Sequence, residues 1–174
     1  MRLEGEAWSA RFRDFEREAF RLELLPQYLV PQEQETFAAW RAGAVRESGE
    51  GSWQSTIQSA HARGATISRV HVVTSPLSEY LRFEFDWYYR FNAAAGEDIR
   101  ILDRAKTTAP ALAPFDFWLF DERDVVAMRY QPDGTQIDRI LLEDADPAEF
   151  VRYRDLAQAA AVPFAEYQAD AATT

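Results

Sequence analysis

The sequence predicts an α/β (α+β) fold, a single mixed β-sheet packed by helices. Three observations carry that prediction: strand–helix–strand alternation through the middle of the chain, a later run of short apolar strands joined by hairpin-like turns, and a closing helix. The alternation implies parallel pairing through right-handed crossovers, and the meander adds antiparallel strands. A length of 174 residues suits one domain that can bury a core without a metal or disulfide staple. The expected organisation is one α/β domain over residues 1–167 and a frayed Ala/Thr-rich tail over 168–174.

Each element follows from its local pattern. Trp8, Phe12 and Phe15 recur at helical spacing among Arg and Glu, which predicts an amphipathic helix over 8–18. Phe20-Arg21-Leu22-Glu23-Leu24-Leu25 alternates with period two and reads as a strand within 20–30, broken near Pro26. Pro31 opens a Gln- and Glu-rich helix that ends at Gly43, and the glycine-bearing stretch 44–52 reads as a surface loop. Ser52 is placed to cap a helix from Trp53 to Arg63, which Gly64 stops. The clearest strand is β-branched Ile67 to Val73.

Residues 76–95 carry two signals. Leu81, Phe83, Phe85 and Trp87 alternate with Arg82, Glu84 and Asp86, yet Ser75-Pro76 reads as a helix start and Ala93-Ala94-Ala95-Gly96 as a helix end. A strand of that length would be exceptional, so a helix is predicted. Strands follow at Ile99–Leu102, Phe115–Phe120, Val125–Tyr130 and Ile137–Leu142, with turns at Asp121–Asp124 and Pro132-Asp133-Gly134. Asp146-Pro147 opens a last helix through Ala161.

Composition narrows the function. Nineteen basic against 29 acidic residues leave a net charge of −10, which disfavours direct nucleic-acid binding because that needs a positive field. The absence of cysteine excludes disulfides, thiolate metal sites and a cysteine nucleophile. Only His61 and His71 remain for imidazole chemistry, so no metal and no cofactor is expected. The chain shows no secretory leader and no apolar run long enough to span a bilayer, which predicts a cytoplasmic protein without a membrane partner. No phosphate loop, Gly-x-Gly-x-x-Gly or Gly-x-Ser-x-Gly pattern is present.

Several segments carry a family resemblance: Tyr28-Leu29-Val30-Pro31 with Phe37 and Trp40, the long segment Arg69 to Glu84, Gly96-Glu97-Asp98-Ile99-Arg100, and Phe115 to Asp121. Over nearly its full length the chain resembles small actinobacterial proteins grouped as a domain of unknown function. The resemblance implies a regulatory setting, since such proteins are often encoded beside helix-turn-helix regulators. A second likeness lies in layout. Ala60-x-x-Arg63-Gly64, a strand, a helix, the Ile99-Arg100-Ile101-Leu102 strand and an aromatic strand ending in Asp121 are similar to half of a phospholipase D-like domain. That family's His-x-Lys-x4-Asp motif would fall on Pro114, Asp116 and Asp121, so only the aspartate matches and the implied active site is degenerate.

Candidate chemistry gathers on two neighbouring elements. His71 shares a strand face with Arg69 and Val73, where an imidazole beside a guanidinium suits acid–base work or anion binding. On the following helix the apolar stripe Leu77, Tyr80 or Leu81, Glu84, Tyr88 and Phe91 contains Glu84, a carboxylate that burial obliges to find a partner or shift its pKa. Arg82 flanks it, and with Trp87 and Tyr88 these residues would line a pocket for an anionic small molecule. Ser75 lies at the strand's carboxyl end, where open α/β sheets bind ligands. The plainer alternatives are a hydrogen-bonded histidine and an ion-paired carboxylate that orients its helix. The acidic clusters Asp121–Asp124 and Glu143–Asp146 read as solvated turns rather than Mg²⁺ sites, and His61 reads as surface.

Two functional readings follow. The first is a non-catalytic regulatory or interaction protein, partner of a helix-turn-helix regulator, that meets it through acidic faces and exposed aromatics such as Trp8, Trp40 or Trp53. The second is a small-molecule-binding domain or enzyme centred on Arg69, His71, Arg82 and Glu84. The first ranks ahead, and edge strands and surplus aromatics leave a homodimer open.

Overall fold

Where apolar residues alternate, the chain forms strands as expected. The computed structural model describes the backbone of residues 1–173 and side chains as far as Asp170. Its elements are α1 (Gly5–Asp14), β1 (Glu18–Glu23), a 3₁₀ turn (Pro31–Glu33) leading into α2 (Gln34–Arg41), α3 (Ser52–Ala62) and β2 (Thr66–Val73). Then come α4 (Glu79–Glu84), a π-helical turn (Phe85–Tyr89), α5 (Arg90–Ala95), β3 (Asp98–Asp103), β4 (Asp116–Phe120), β5 (Asp124–Tyr130), β6 (Gln136–Leu141), α6 (Pro147–Ala160), β7 (Val162–Pro163) and α7 (Phe164–Thr173).

One seven-stranded mixed sheet runs β6-β5-β4-β1-β2-β3-β7. β1, β2 and β3 pair in parallel, while β4, β5 and β6 continue from the other side of β1 as an antiparallel meander. No helix among the described residues is long and apolar enough to cross a membrane.

Several boundaries differ from the sequence reading. The first helix starts earlier and ends at Asp14, because Phe15 turns extended and enters the core. β1 stops at Glu23 well before Pro26, and Leu29 makes only an isolated bridge to Thr135. Ser52 is the first helical residue of α3 and caps nothing. Ser75-Pro76 is a cis peptide outside the helix; the cap is Ser78, whose hydroxyl accepts the Leu81 N–H at 3.1 Å. Residues 164–173, partly assigned to the tail, form α7, which packs Phe164 and Tyr167 against the β3 edge. The end of the expected tail, Thr174, lies outside the described residues.

The sheet's two faces differ in kind. One is apolar at its centre, where Phe20, Leu22, Val70, Val72, Leu102, Phe117 and Leu119 pack under Phe150 and Ala157 of α6, and polar at one end, where Arg154 of α6 pairs with Glu18 beside Ser68. On the other, Ala19, Ile67, Trp118 and Phe120 meet α1 and α3, and Val73, Ile99 and Ile101 meet α4, the π turn and α7. Between those two apolar patches stand Arg21 and Glu23 of β1 and Arg69 and His71 of β2, all buried. Burying ionic groups weighs against folding unless they are paired, so this polar centre singles itself out.

Two aspartates outside that centre act as backbone clamps. Asp121 accepts the N–H groups of Glu16 (2.9 Å), Arg17 (2.7 Å) and Glu18 (3.1 Å). Asp103 accepts those of Ser75 and Ala105, both at 3.0 Å, and the Tyr167 hydroxyl at 2.8 Å. Burial works against both carboxylates, but these donors outweigh it and hold both pKa values below the ordinary 3.8. A depressed folded pKa gives stability that is present above the unfolded value and is lost as pH falls through the folded one. Denaturant unfolding below about pH 4 is therefore expected to lose stability more steeply in the wild type than in Asp103→Asn/Asp121→Asn. Parallel acid limbs would contradict the assignment.

Candidate functional site

The central strands supply the floor of the site. Side chains two apart on a strand share a face, so Arg21 and Glu23 stand beside Arg69 and His71 across the parallel β1–β2 pair, in register Arg21↔Arg69 and Glu23↔His71. The wall opposite comes from α4 and the π turn. In a regular helix residues five apart diverge by roughly 140°, but the wider π turn lets Glu84 and Tyr89 reach the same group of side chains. π turns often mark functional sites.

Arg69 is held from two sides: Nη1 donates to Glu23 Oε2 at 2.9 Å and Nε to Glu97 Oε1 at 2.5 Å, while the guanidinium lies over the Tyr89 ring. Glu97 also accepts the Trp53 indole N–H at 3.0 Å. Arg21 Nη2 reaches Tyr130 Oη (3.0 Å), Glu23 Oε1 (3.3 Å) and Asp116 Oδ2 (3.4 Å). Asp116 is further bound by the Tyr28 hydroxyl at 2.6 Å and the Leu24 amide at 3.0 Å.

His71 is fully buried, and its protons can be counted. Nε2 faces the Leu25 carbonyl at 2.9 Å, an acceptor only, so Nε2 carries a proton. Nδ1 lies 2.7 Å from Tyr89 Oη, whose single proton goes to Glu23 Oε2 at 2.8 Å. With that proton on Glu23, Nδ1 donates to the phenol oxygen and the ring is an imidazolium. Burial opposes that charge, but Glu84 and then Glu23 outweigh it and raise the His71 pKa to about 9. Glu23 shows the converse: burial would raise it, yet Arg69, then Arg21, hold it at about 2. Burial pushes Glu33 up to about 7 despite the Tyr80 hydroxyl bound to it.

Glu84 stands apart. It is 7% exposed, no arginine bonds it, and Oε2 is buried without a hydrogen bond; its nearest cation is His71 Nδ1 at 3.4 Å. Two cavities of about 440 Å³ meet around it, both walled by Arg21, Glu23, Glu33 and Glu84. One opens between Trp53, Trp118 and Tyr88, the other between Tyr28, Tyr130 and Arg139.

A family model described as a domain of unknown function, DUF6879, matches residues 6–169. The chain belongs to that family. No curated protein matches the sequence.

In this DUF6879 domain, Arg69, His71, Glu84 and Tyr88 of the sequence-predicted candidates come together. Three others do not. Arg82 is exposed on the far side of α4, because a helix cannot turn both positions 82 and 84 inward. Trp87 packs on Phe83 away from the cavities, with its carbonyl accepting Arg46 Nη1 at 2.8 Å. Ser75 lies beyond β2 and donates its amide to Asp103. Of the positions that the phospholipase D likeness would assign, Asp116 binds Arg21 and Tyr28, and Asp121 accepts backbone amides. Arg21, Glu23, Tyr89 and Glu97 were missed. The available signal was the charge alternation in β1, which reads as a solvent face unless β1 is known to be central.

Proposed function

We propose that the DUF6879 domain binds a small polar metabolite that carries both a hydrogen-bond acceptor and a donor, in the cavities over the β1–β2 face. One observation supports this above all: two buried ionic side chains face the same space with hydrogen-bonding capacity unused. Arg21 bonds only through Nη2, and Glu84 Oε2 is buried without a hydrogen bond. Buried polar groups are normally satisfied, and a pocket with a few convergent polar groups among aromatic walls is the usual form of a ligand site. The volume of about 440 Å³ lies in the range of such sites.

The regulatory-partner reading has less support. Trp8, Trp40 and Trp53, expected on the surface, are half-buried in aromatic clusters. The exposed large apolar residues among those described, Met1, Leu29, Val45, Ile137 and Val162, are scattered in sequence and small in number.

Thermal-shift screening with nucleosides, amino acids, dicarboxylic acids and simple amines tests the proposal. A ligand at 100 times its Kd adds about 2.7 kcal/mol of stability, so amphoteric compounds are expected to raise the melting temperature by several degrees. Arg21→Lys keeps the charge but loses the fork of donors, and is expected to weaken that ligand at least tenfold. No shift from any class, or an equal shift in Arg21→Lys, would refute the proposal.

A further inference from the structure

We propose that Glu23, His71 and Glu84 form a binding site for a divalent transition-metal cation at the inner end of the cavities, independently of any organic molecule that fills them. His71 Nδ1 lies 3.4 Å from Glu84 Oε2 and 3.8 Å from Glu23 Oε2, and the three donor atoms all fall within 4.8 Å of one another. A cation among them would sit roughly 2.0–2.4 Å from each, the spacing of first-row divalent ions with imidazole and carboxylate ligands.

The surrounding bonds are those a metal site needs. A ligating histidine commonly donates its other ring N–H to a carbonyl, which fixes which nitrogen faces the metal. His71 does so, with Nε2 on the Leu25 carbonyl at 2.9 Å. Glu23 is oriented by Arg69 Nη1 on Oε2 (2.9 Å) and Arg21 Nη2 on Oε1 (3.3 Å). Those guanidiniums repel a cation in part, but neither bonds Glu84, whose Oε2 is buried and has no hydrogen-bond partner. The Tyr89 hydroxyl, 2.7 Å from Nδ1 and 2.8 Å from Glu23 Oε2, is a fourth oxygen beside the group. The cation replaces the Nδ1 proton, which is released to solvent with loss of the Nδ1–Tyr89 hydrogen bond; the imidazole so left neutral, the two carboxylates and the dication sum to zero charge, which is the balance a buried site requires. Both carboxylates line the cavities, which provide entry. One imidazole with two carboxylates suits Zn²⁺, Mn²⁺ or Fe²⁺.

The test is isothermal titration of the EDTA-treated full chain with ZnCl₂ and no organic ligand, together with visible spectra on adding Co²⁺. The expected result is one Zn²⁺ per chain and Co²⁺ d–d bands that Zn²⁺ abolishes. Glu84→Gln, nearly the same shape, should bind Zn²⁺ ten- to a hundredfold more weakly while keeping the wild-type circular dichroism. His71→Gln should lose the Co²⁺ bands. Absence of a one-to-one Zn²⁺ isotherm in the wild type, or wild-type affinity in Glu84→Gln, overturns the proposal. Because the probe is the metal alone, that failure leaves the metabolite reading untouched, and failure of the metabolite screen leaves this one untouched.

Discussion

Arg69→Met is expected to destabilise the protein by about 3–5 kcal/mol, the cost of leaving buried charge without its partner. The methionine nearly fills the volume, so packing is not the cause. Glu97 would remain fully buried with only the Trp53 indole, and Glu23 would keep Arg21, at 3.3 Å, as its one guanidinium. The hydrogen bonds lost are short ones, 2.5 and 2.9 Å, between side chains each less than a tenth exposed. A second substitution separates charge from shape. Arg69→Met/Glu97→Gln removes one stranded carboxylate, and its loss should be smaller than that of Arg69→Met alone. Urea unfolding of the two variants checks this: a double variant at least as unstable as the single one would show that uncompensated charge is not the cause. That the molecule holds so exacting an arrangement argues for use, because apolar residues of equal volume would often be as stable.

Much of the fold follows from side-chain periodicity alone. β2 is legible because Ile67, Val70, Val72 and Val73 are β-branched or bulky between Gly64 and Ser75-Pro76, and its bounds shift by one residue at most. The last long helix is legible because Asp146 caps it, Oδ1 accepting the Ala148 N–H at 3.0 Å, and Pro147 pre-sets its first turn. β7 and α7 are not legible, since two-residue Val162–Pro163 has no periodicity and a polar Ala-rich helix end resembles a fraying tail. Half of the site is visible for a similar reason. Glu84 on an apolar stripe is a local anomaly, and His71 beside Arg69 is a local pair. Glu23 and Arg21 join them only because β1 is inserted between β2 and β4, which is a property of topology. Tyr89 joins through the π turn: regular helical phase selects Tyr88, and the turn instead buries Tyr89 to 1% exposure.

Phe117→Ala should lose a comparable amount, about 3–5 kcal/mol, from the opposite face of the same sheet. Phe117 is fully buried, with its ring 5.0 Å from Phe150 and 5.8 Å from Phe20, in a cluster of apolar side chains. For a chain of this length that corresponds to a melting temperature lower by roughly 10 °C. The contrast with Arg69→Met lies in what else changes. Phe117 points into the apolar layer under α6, whereas the cavities open on the other side of the strands. Zn²⁺ affinity and ligand-induced shifts, measured well below the lowered transition, are therefore expected to match the wild type in Phe117→Ala. In Arg69→Met they should change, because Glu23 loses the guanidinium that orients it. Equal loss of binding in both variants would mean that the two faces are mechanically coupled and that the polar centre is not an independent site. Dividing the sheet into a largely apolar face for stability and a charged face for binding predicts separable effects.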